Sequence, residues 1–388
     1  MKYDFQFYNP TKIYFGKDSL SKLVEELKNY GENVLLAYGG GSIKRTGLYD
    51  QVINILKKAN KNVFEFSGIM PNPTYKKMLE GCQLVREHHI DLILAVGGGS
   101  VIDCVKGVSA SSYSQDDPWE KYWVRHEKIS NKVIPIGTIL TMVGTGSEMN
   151  GGSVITNEEK KRKNGRVFPQ EVYPKFSILN PELTYTVSQY QMLSGIFDIM
   201  SHLMEQYFSG DDDNVSDCLI EALLKSVMKD TKKALINPKD YEARSNIMWA
   251  STITLNTLLG CSKTQDWTVH AIEHQLGAYT DCAHGMGLAA ISIPYYRHIY
   301  RYGLSKFKRF AINVFDVEEE GSDEEISLKG LNQLEKFIKE SGMATKLKDL
   351  NATREMLPLI AKSCGKSTSS YKELDEEEIL EILNECYE

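Results

Sequence analysis

Short apolar runs recur through the first half of the chain, each closed by glycine, proline or polar residues. They fall at 11–15, before Gly16; at 34–38, Val-Leu-Leu-Ala-Tyr; at 63–66; at 91–96, Asp-Leu-Ile-Leu-Ala-Val; at 132–136; and at 176–179, before Asn180-Pro181. Runs this short and this continuous predict strands buried on both faces. Between them apolar residues recur at helical spacing over 19–30, 49–60, 75–88 and from 99 through 108, which predicts amphipathic helices. Strand and helix in alternation predict a parallel sheet covered by helices on both faces. A loop rich in Thr, Gly and Ser at 138–152 and a charged, hairpin-like insert at 157–166 interrupt the alternation.

From Val187 the texture changes. Helical periods are predicted over 189–208, 217–235, 243–259, 267–279 and 287–300, with hardly any strand, and the acidic stretch 316–325 reads as a solvated loop. The break at Pro181 predicts an α/β dinucleotide-binding domain over 1–182 and an all-helical metal- and substrate-binding domain over 183–388. A length of 388 residues suits two domains. With 42% hydrophobic and 25% charged residues and a net charge of -7, the composition is that of a soluble globular protein without the basic stripe nucleic acid requires. No apolar run is long enough to span a membrane, and the N-terminus lacks the apolar core of a signal peptide, so the expected location is the cytosol. Seven scattered cysteines with no Cys-x-x-Cys pair predict neither a disulfide framework nor a thiolate zinc site.

Four of the eight histidines fall between 198 and 284. Asp198 and His202 are four apart and project from one helix face. His270 and His274 repeat that spacing, and a glycine-rich turn at His284-Gly-Met-Gly brings a further imidazole to the same face. A carboxylate with imidazoles and no thiolate suits Fe, Zn, Mn, Co or Ni and is too rich in nitrogen for Mg or Ca. Gly97, Gly98, Gly99 and Ser100, between a strand and a helix, place bare amides where the helix dipole favours phosphate. The other turn, Gly39, Gly40, Gly41 and Ser42, holds no carboxylate to receive an adenosine ribose. With Lys44 and Arg45 close behind, it favours NADP(H) over NAD(H).

These residues together resemble the iron-containing alcohol dehydrogenase family, near its butanol-dehydrogenase and NADPH-dependent aldehyde-reductase branch. The likeness runs from Asn9-Pro-Thr-Lys-Ile-Tyr-Phe-Gly16 through Tyr38-Gly-Gly-Gly-Ser42, Gly97-Gly-Gly-Ser-Val-Ile-Asp103 and Gly144-Thr-Gly-Ser-Glu148 to His270-Ala-Ile-Glu-His274 and Ala283-His-Gly-Met-Gly-Leu288. It implies a metal, Fe2+ first with Zn2+, Mn2+, Co2+ and Ni2+ left open, on Asp198, His202, His270 and His284. His274 is implied beside the substrate, passing on the alcohol proton. The implied cofactor contacts are Gly40, Gly41 and Ser42 for the adenosine side and Asn72, Gly98, Gly99, Ser100 and Asp103 around the pyrophosphate. Thr141, Thr145, Asn150, Lys163 and Leu183 are implied toward the nicotinamide. Where the family commonly shows Pro-Thr-Thr-Ala, this chain has Leu140-Thr-Met-Val143, losing one hydroxyl. A homodimer is implied as well.

The expected reaction is hydride transfer between nicotinamide C4 and a primary alcohol or aldehyde of a few carbons, such as butanol or butanal. Its place would be the cleft between the domains, lined in part by Trp267 and Tyr279. Two other readings stay open. One is an enzyme like glycerol dehydrogenase or dehydroquinate synthase, which would need more basic residues toward its substrate. The other is a non-catalytic metal- or nucleotide-binding protein.

Overall fold

The computed structural model describes residues 3–211, 213–364, 366 and 371–388. It divides into two compact units, Tyr8–Val187 and Ser188–Glu388, the second joined by the start of the chain up to Phe7.

Among the described residues of the first unit the strands are β1 (Lys12–Phe15), β2 (Asn33–Tyr38), β3 (Asn62–Phe66), β4 (Leu92–Gly97), β5 (Ile136–Leu140), β6 (Gly152–Asn157), β7 (Arg162–Val167) and β8 (Phe176–Leu179). β6 and β7 pair antiparallel as the expected hairpin, and the other six form a parallel sheet in the order β1-β8-β5-β4-β2-β3. All six residues of β4 are buried, as are all of β5 and β8, which is why these strands read as continuous apolar runs. The chain winds outward in opposite directions from the β2–β4 pair, so the sheet's topological switch point lies there. Tyr38 pairs with Val96, and the two glycine turns therefore leave the sheet side by side.

β5 begins where the expected strand 132–136 ends. It is an interior strand, paired on both sides, and Pro135 has no N–H to contribute to such a ladder. The proline carbonyl still accepts from Ile93 N at 3.0 Å. The helix expected over 19–30 is a chain of short turns, Ser19–Lys22, Leu23–Glu26 and Leu27–Asn29. Leu23 and Leu27 keep the buried spacing of a helix while the backbone alternates between 3-10 and α.

The second unit is helical. Its central helix, Gln189–Tyr207, starts at Ser188, whose hydroxyl accepts from Gln191 N, and is buried from Met192 to its end. It touches the helices Val215–Ile236, Tyr241–Thr254, Thr268–Thr280 and His284–Ile299. Tyr241–Thr254 stops short of the expected 259 because the chain turns through the left-handed region at Thr257, φ 79°. Among the described residues no helix is long and apolar enough to cross a membrane.

Candidate active site

A helix buried on every side has no solvent for its polar residues, so Asp198, His202 and Glu205 must find partners inside the unit. The first two do so with the neighbouring helices' imidazoles. His202 Nδ1 lies 3.5 Å from Asp198 Oδ1, His270 Nε2 3.6 Å and His284 Nε2 3.5 Å. Ligand atoms on a tetrahedral ion with bonds of roughly 2.1 Å stand about 3.4 Å apart; Asp198, His202 and His270 offer atoms all within 4.8 Å of one another, and His284 Nε2 joins them through its 3.5 Å approach to Asp198 Oδ1. Asp198 Oδ1, His202 Nδ1 and His270 Nε2 are buried without a hydrogen-bond partner among the described residues. Unpartnered buried polar atoms gathered around one carboxylate oxygen fit a cation, and the donor chemistry fits a first-row divalent metal.

His284 is the first residue of its helix rather than part of a turn. The glycine after it serves packing: a Cβ at Gly285 would lie 1.8 Å from the Ser194 carbonyl oxygen, so the absence of a side chain lets the two ligand-bearing helices touch. Gly285 N also donates to Ser194 Oγ at 3.1 Å.

Two carboxylates outside the sequence-predicted ligand set support it. Glu205 accepts from His270 Nδ1 and, at 3.1 Å, from His270 N, and Glu273 accepts from His284 Nδ1. Both are buried, and each holds its imidazole with Nε2 aimed at Asp198. A signal for Glu205 is present in the sequence: it stands seven residues after Asp198 on the same apolar helix. Burial alone would raise the Asp198 carboxyl, but His202, His284 and His270 hold it far below the usual range. Burial pushes His202 down to about 3, with His270 and His284 adding to the effect. An ionised carboxylate and a neutral imidazole are the forms that ligate. Glu205→Gln is expected to weaken metal binding about 10- to 100-fold, measured by competition with a chromophoric chelator; unchanged affinity would remove Glu205 from this role.

His274 lies one turn beyond His270, half-buried, its ring 6.1 Å from that of His270 and 5.6 Å from that of His284. The Trp267 ring meets His202 and His270 edge-on at 6.0 and 5.5 Å. Tyr279 is half-buried near the end of the same helix as His270.

In the sheet unit, a Cβ added at Gly40 would meet no atom within 4 Å, and Gly41 sits at φ 97°, so the turn before Ser42 is open. Asn72 is left-handed at φ 52°. Gly98 caps the helix Gly99–Ser111, with Gly99 and Ser100 in its first turn. A Cβ on Gly99 would fall 2.5 Å from Thr145, and Thr141 N donates to Gly97 O at 3.0 Å, so the 141–147 loop closes against this turn. Lys163 is buried on β7, and Leu183 packs on the core beneath β2.

Asp103 and Asn150 are engaged internally. Asp103 accepts from Ser147 Oγ at 2.5 Å and Val154 N at 2.9 Å, and Asn150 bonds Thr145 O, Gly146 O and Gly152 N. Beneath them lies a fully buried lysine that no motif singles out. Lys106 Nζ donates to Ser147 Oγ at 2.7 Å, Asn150 Oδ1 at 3.0 Å and Gly152 O at 2.9 Å, tying the helix to the loop. Burial lowers Lys106 to about 8, against the pull of Asp103 and Glu148. Lys106→Met is expected to destabilise the protein by about 2–4 kcal/mol, because it strands buried acceptors. The depressed pKa means the unfolded chain binds more protons between pH 8 and 10.5. Wild-type stability relative to the variant should therefore rise with pH across that window in urea titrations, and a flat difference would contradict the assignment.

Residues 10–181 match the description iron-containing alcohol dehydrogenase, and residues 192–387 match the C-terminal part of the Fe-containing alcohol dehydrogenase family. The chain belongs to the iron-containing alcohol dehydrogenase family. As a member it is a metal-dependent, nicotinamide-linked oxidoreductase. It is 43% identical over 98% of both chains to the probable NADH-dependent butanol dehydrogenase 1 of Bacillus subtilis strain 168. It is 35% identical over 92% of both chains to the NADPH-dependent aldehyde reductase YqhD of Escherichia coli strain K12. Its fold matches the crystal structure of NADH-dependent butanol dehydrogenase A from Thermotoga maritima with a TM-score of 0.95 and 37% identity, covering 100% of this chain and 99% of the other.

Proposed function

We propose that this alcohol dehydrogenase interconverts short-chain primary alcohols and aldehydes, butanol and butanal among them, with Fe2+ as its working metal. The observation that carries the reading is the convergence of His202, His270 and His284 to 3.5–3.6 Å from one buried carboxylate oxygen. The names of the similar enzymes, butanol dehydrogenases and an aldehyde reductase, support the substrate class.

Asp198, His202, His270 and His284 would hold the ion, and Glu205 and Glu273 fix the tautomers of the last two. When bound, the ion supplies Lewis acidity toward an alcohol or aldehyde oxygen. Asp198, His202 and His270 are buried, whereas the His284 side chain is 24% exposed and His274 is half-buried, so substrate enters from the side of these two rings. His274, beside the ligand set without belonging to the Asp198 group, moves the alcohol proton toward solvent. Trp267 packs edge-on against His202 and His270 and limits water around these two rings. In the sheet unit the open turn at 39–42 and the glycine turn at 97–100 flank the switch point, where a dinucleotide's adenosine end and pyrophosphate are received. Lys106, Asp103 and Asn150 shape the loop that supports its nicotinamide end.

The 39–42 turn favours NADP(H) over NAD(H), since Gly40 and Gly41 leave room for a 2′-phosphate and neither carries a carboxylate to repel it. Gly40→Asp, which meets no steric obstacle, is expected to raise the KM for NADPH about tenfold more than that for NADH; equal effects would contradict the placement. The proposed working form is a cytosolic homodimer, checked by light scattering. The reading as a whole is tested by reconstituting metal-stripped protein with Fe2+, Zn2+, Mn2+, Co2+ and Ni2+ in turn and assaying butanal with NADPH and with NADH. Turnover that requires one of these metals is expected, and full turnover by the stripped protein would refute it.

A further inference from the structure

No carboxylate occupies the turn at 39–42, yet folding brings one beside it from the neighbouring strand. Glu65 is the penultimate residue of β3, paired opposite Leu36 of β2, and Gly68 N donates to Gly39 O at 3.2 Å, so the exit of β3 runs along the turn. Tyr38, the last residue of β2, donates its hydroxyl to Glu65 Oε2, and Tyr49 donates to Oε1 at 2.6 Å. Lys44, just past the turn, places Nζ 3.6 Å from Oε2 and 5.2 and 4.5 Å from the ring centres of Tyr38 and Tyr49. The two rings meet edge to face at 5.8 Å, which makes the carboxylate's seat rigid. The Lys44 and Glu65 side chains are 49% and 42% exposed, so both charges face solvent, where a ligand can reach them. The hydrogen bonds from Tyr38 and Tyr49 hold Glu65 below its ordinary pKa and keep it ionised at neutral pH.

A carboxylate at the end of the strand next to a nucleotide turn is placed to accept from a ribose 2′-hydroxyl, and it repels a 2′-phosphate. A lysine at the same spot does the opposite. Here the two are locked together, and the lysine's charge is spent on the carboxylate. We infer that Glu65, seated by Tyr38 and Tyr49 against Lys44, is the residue that sets the dinucleotide preference, restraining the bias toward NADP(H) that the glycine turn alone would give. The inference rests on the dinucleotide site proposed above.

The test needs neither metal nor substrate: titration calorimetry of ADP and of 2′,5′-ADP with the full-length wild type, Glu65→Gln and Lys44→Met. Glu65→Gln should tighten 2′,5′-ADP about tenfold while moving ADP by less than about threefold, and Lys44→Met should weaken 2′,5′-ADP about tenfold. Tyr49→Phe, which frees one carboxylate oxygen without removing the charge, should lie between wild type and Glu65→Gln. A wild type that binds both ligands in a ratio Glu65→Gln leaves unchanged overturns the role of Glu65 alone. A wild type that binds neither overturns the dinucleotide site and this inference with it.

Discussion

Replacing His270 with alanine is expected to lower kcat/KM for butanal by at least ~10³-fold, roughly 4 kcal/mol of lost transition-state stabilisation. Of the proposed ligands His270 has the most to lose. It closes the coordination set through Nε2, 3.6 Å from Asp198 Oδ1, and it is the ring that Glu205 grips through Nδ1. Without it, Asp198 keeps its charge in a buried place with one fewer compensating ring, and of the two bonds from residue 270 to Glu205 only the backbone N–H remains. Metal content should fall in parallel, read by atomic absorption after gel filtration. Dinucleotide affinity should change by less than about threefold, because the proposed contacts belong to the sheet unit and independent sites contribute additively. Full activity in the variant would remove the metal from the mechanism.

Gly285→Ala is expected to be nearly as damaging while leaving every ligand in place. The added methyl would sit 1.8 Å from the Ser194 carbonyl oxygen, a backbone atom inside a buried helix that cannot step aside. The helices must separate, costing about 1–3 kcal/mol of stability or somewhat more. Because Asp198 lies one turn beyond Ser194 and His284 is the adjacent residue, separation opens the coordination set directly. Metal affinity should drop about 100-fold, a loss of the size seen when ligand support is removed. Urea titration and metal competition together test this, and a stable variant with wild-type affinity would show that the close approach does not position His284.

The parts of this molecule that depend on local spacing are readable along the chain. Asp198 and His202 share a helix face by their separation alone, and β4 and β8 announce themselves as apolar runs closed by Gly97 and Asn180. Where a local rule competes with tertiary structure, the sequence misleads. Pro135 moves β5 downstream because an interior strand cannot hold a proline, and Gly285 and Gly287 look like a turn although they are the thin side of a packed helix. Residues whose meaning is wholly tertiary stay hidden. Lys106 reads as an ordinary charged position on a helix until burial shows that it must use its charge inside, and Glu205, although its spacing from Asp198 is legible, has a role only once His270 is brought to it. Glu65 sits far along the chain from the turn it faces, and only the β2–β3 register brings it there.

Asp198, His202, His270 and His284 are proposed to share one divalent ion. That sharing is tested most directly by anomalous difference maps, collected above and below the zinc absorption edge from crystals grown with one equivalent of Zn2+. One peak is expected, about 2.0–2.2 Å from Asp198 Oδ1, His202 Nδ1, His270 Nε2 and His284 Nε2. A peak elsewhere, or a map empty at those four atoms, would contradict it.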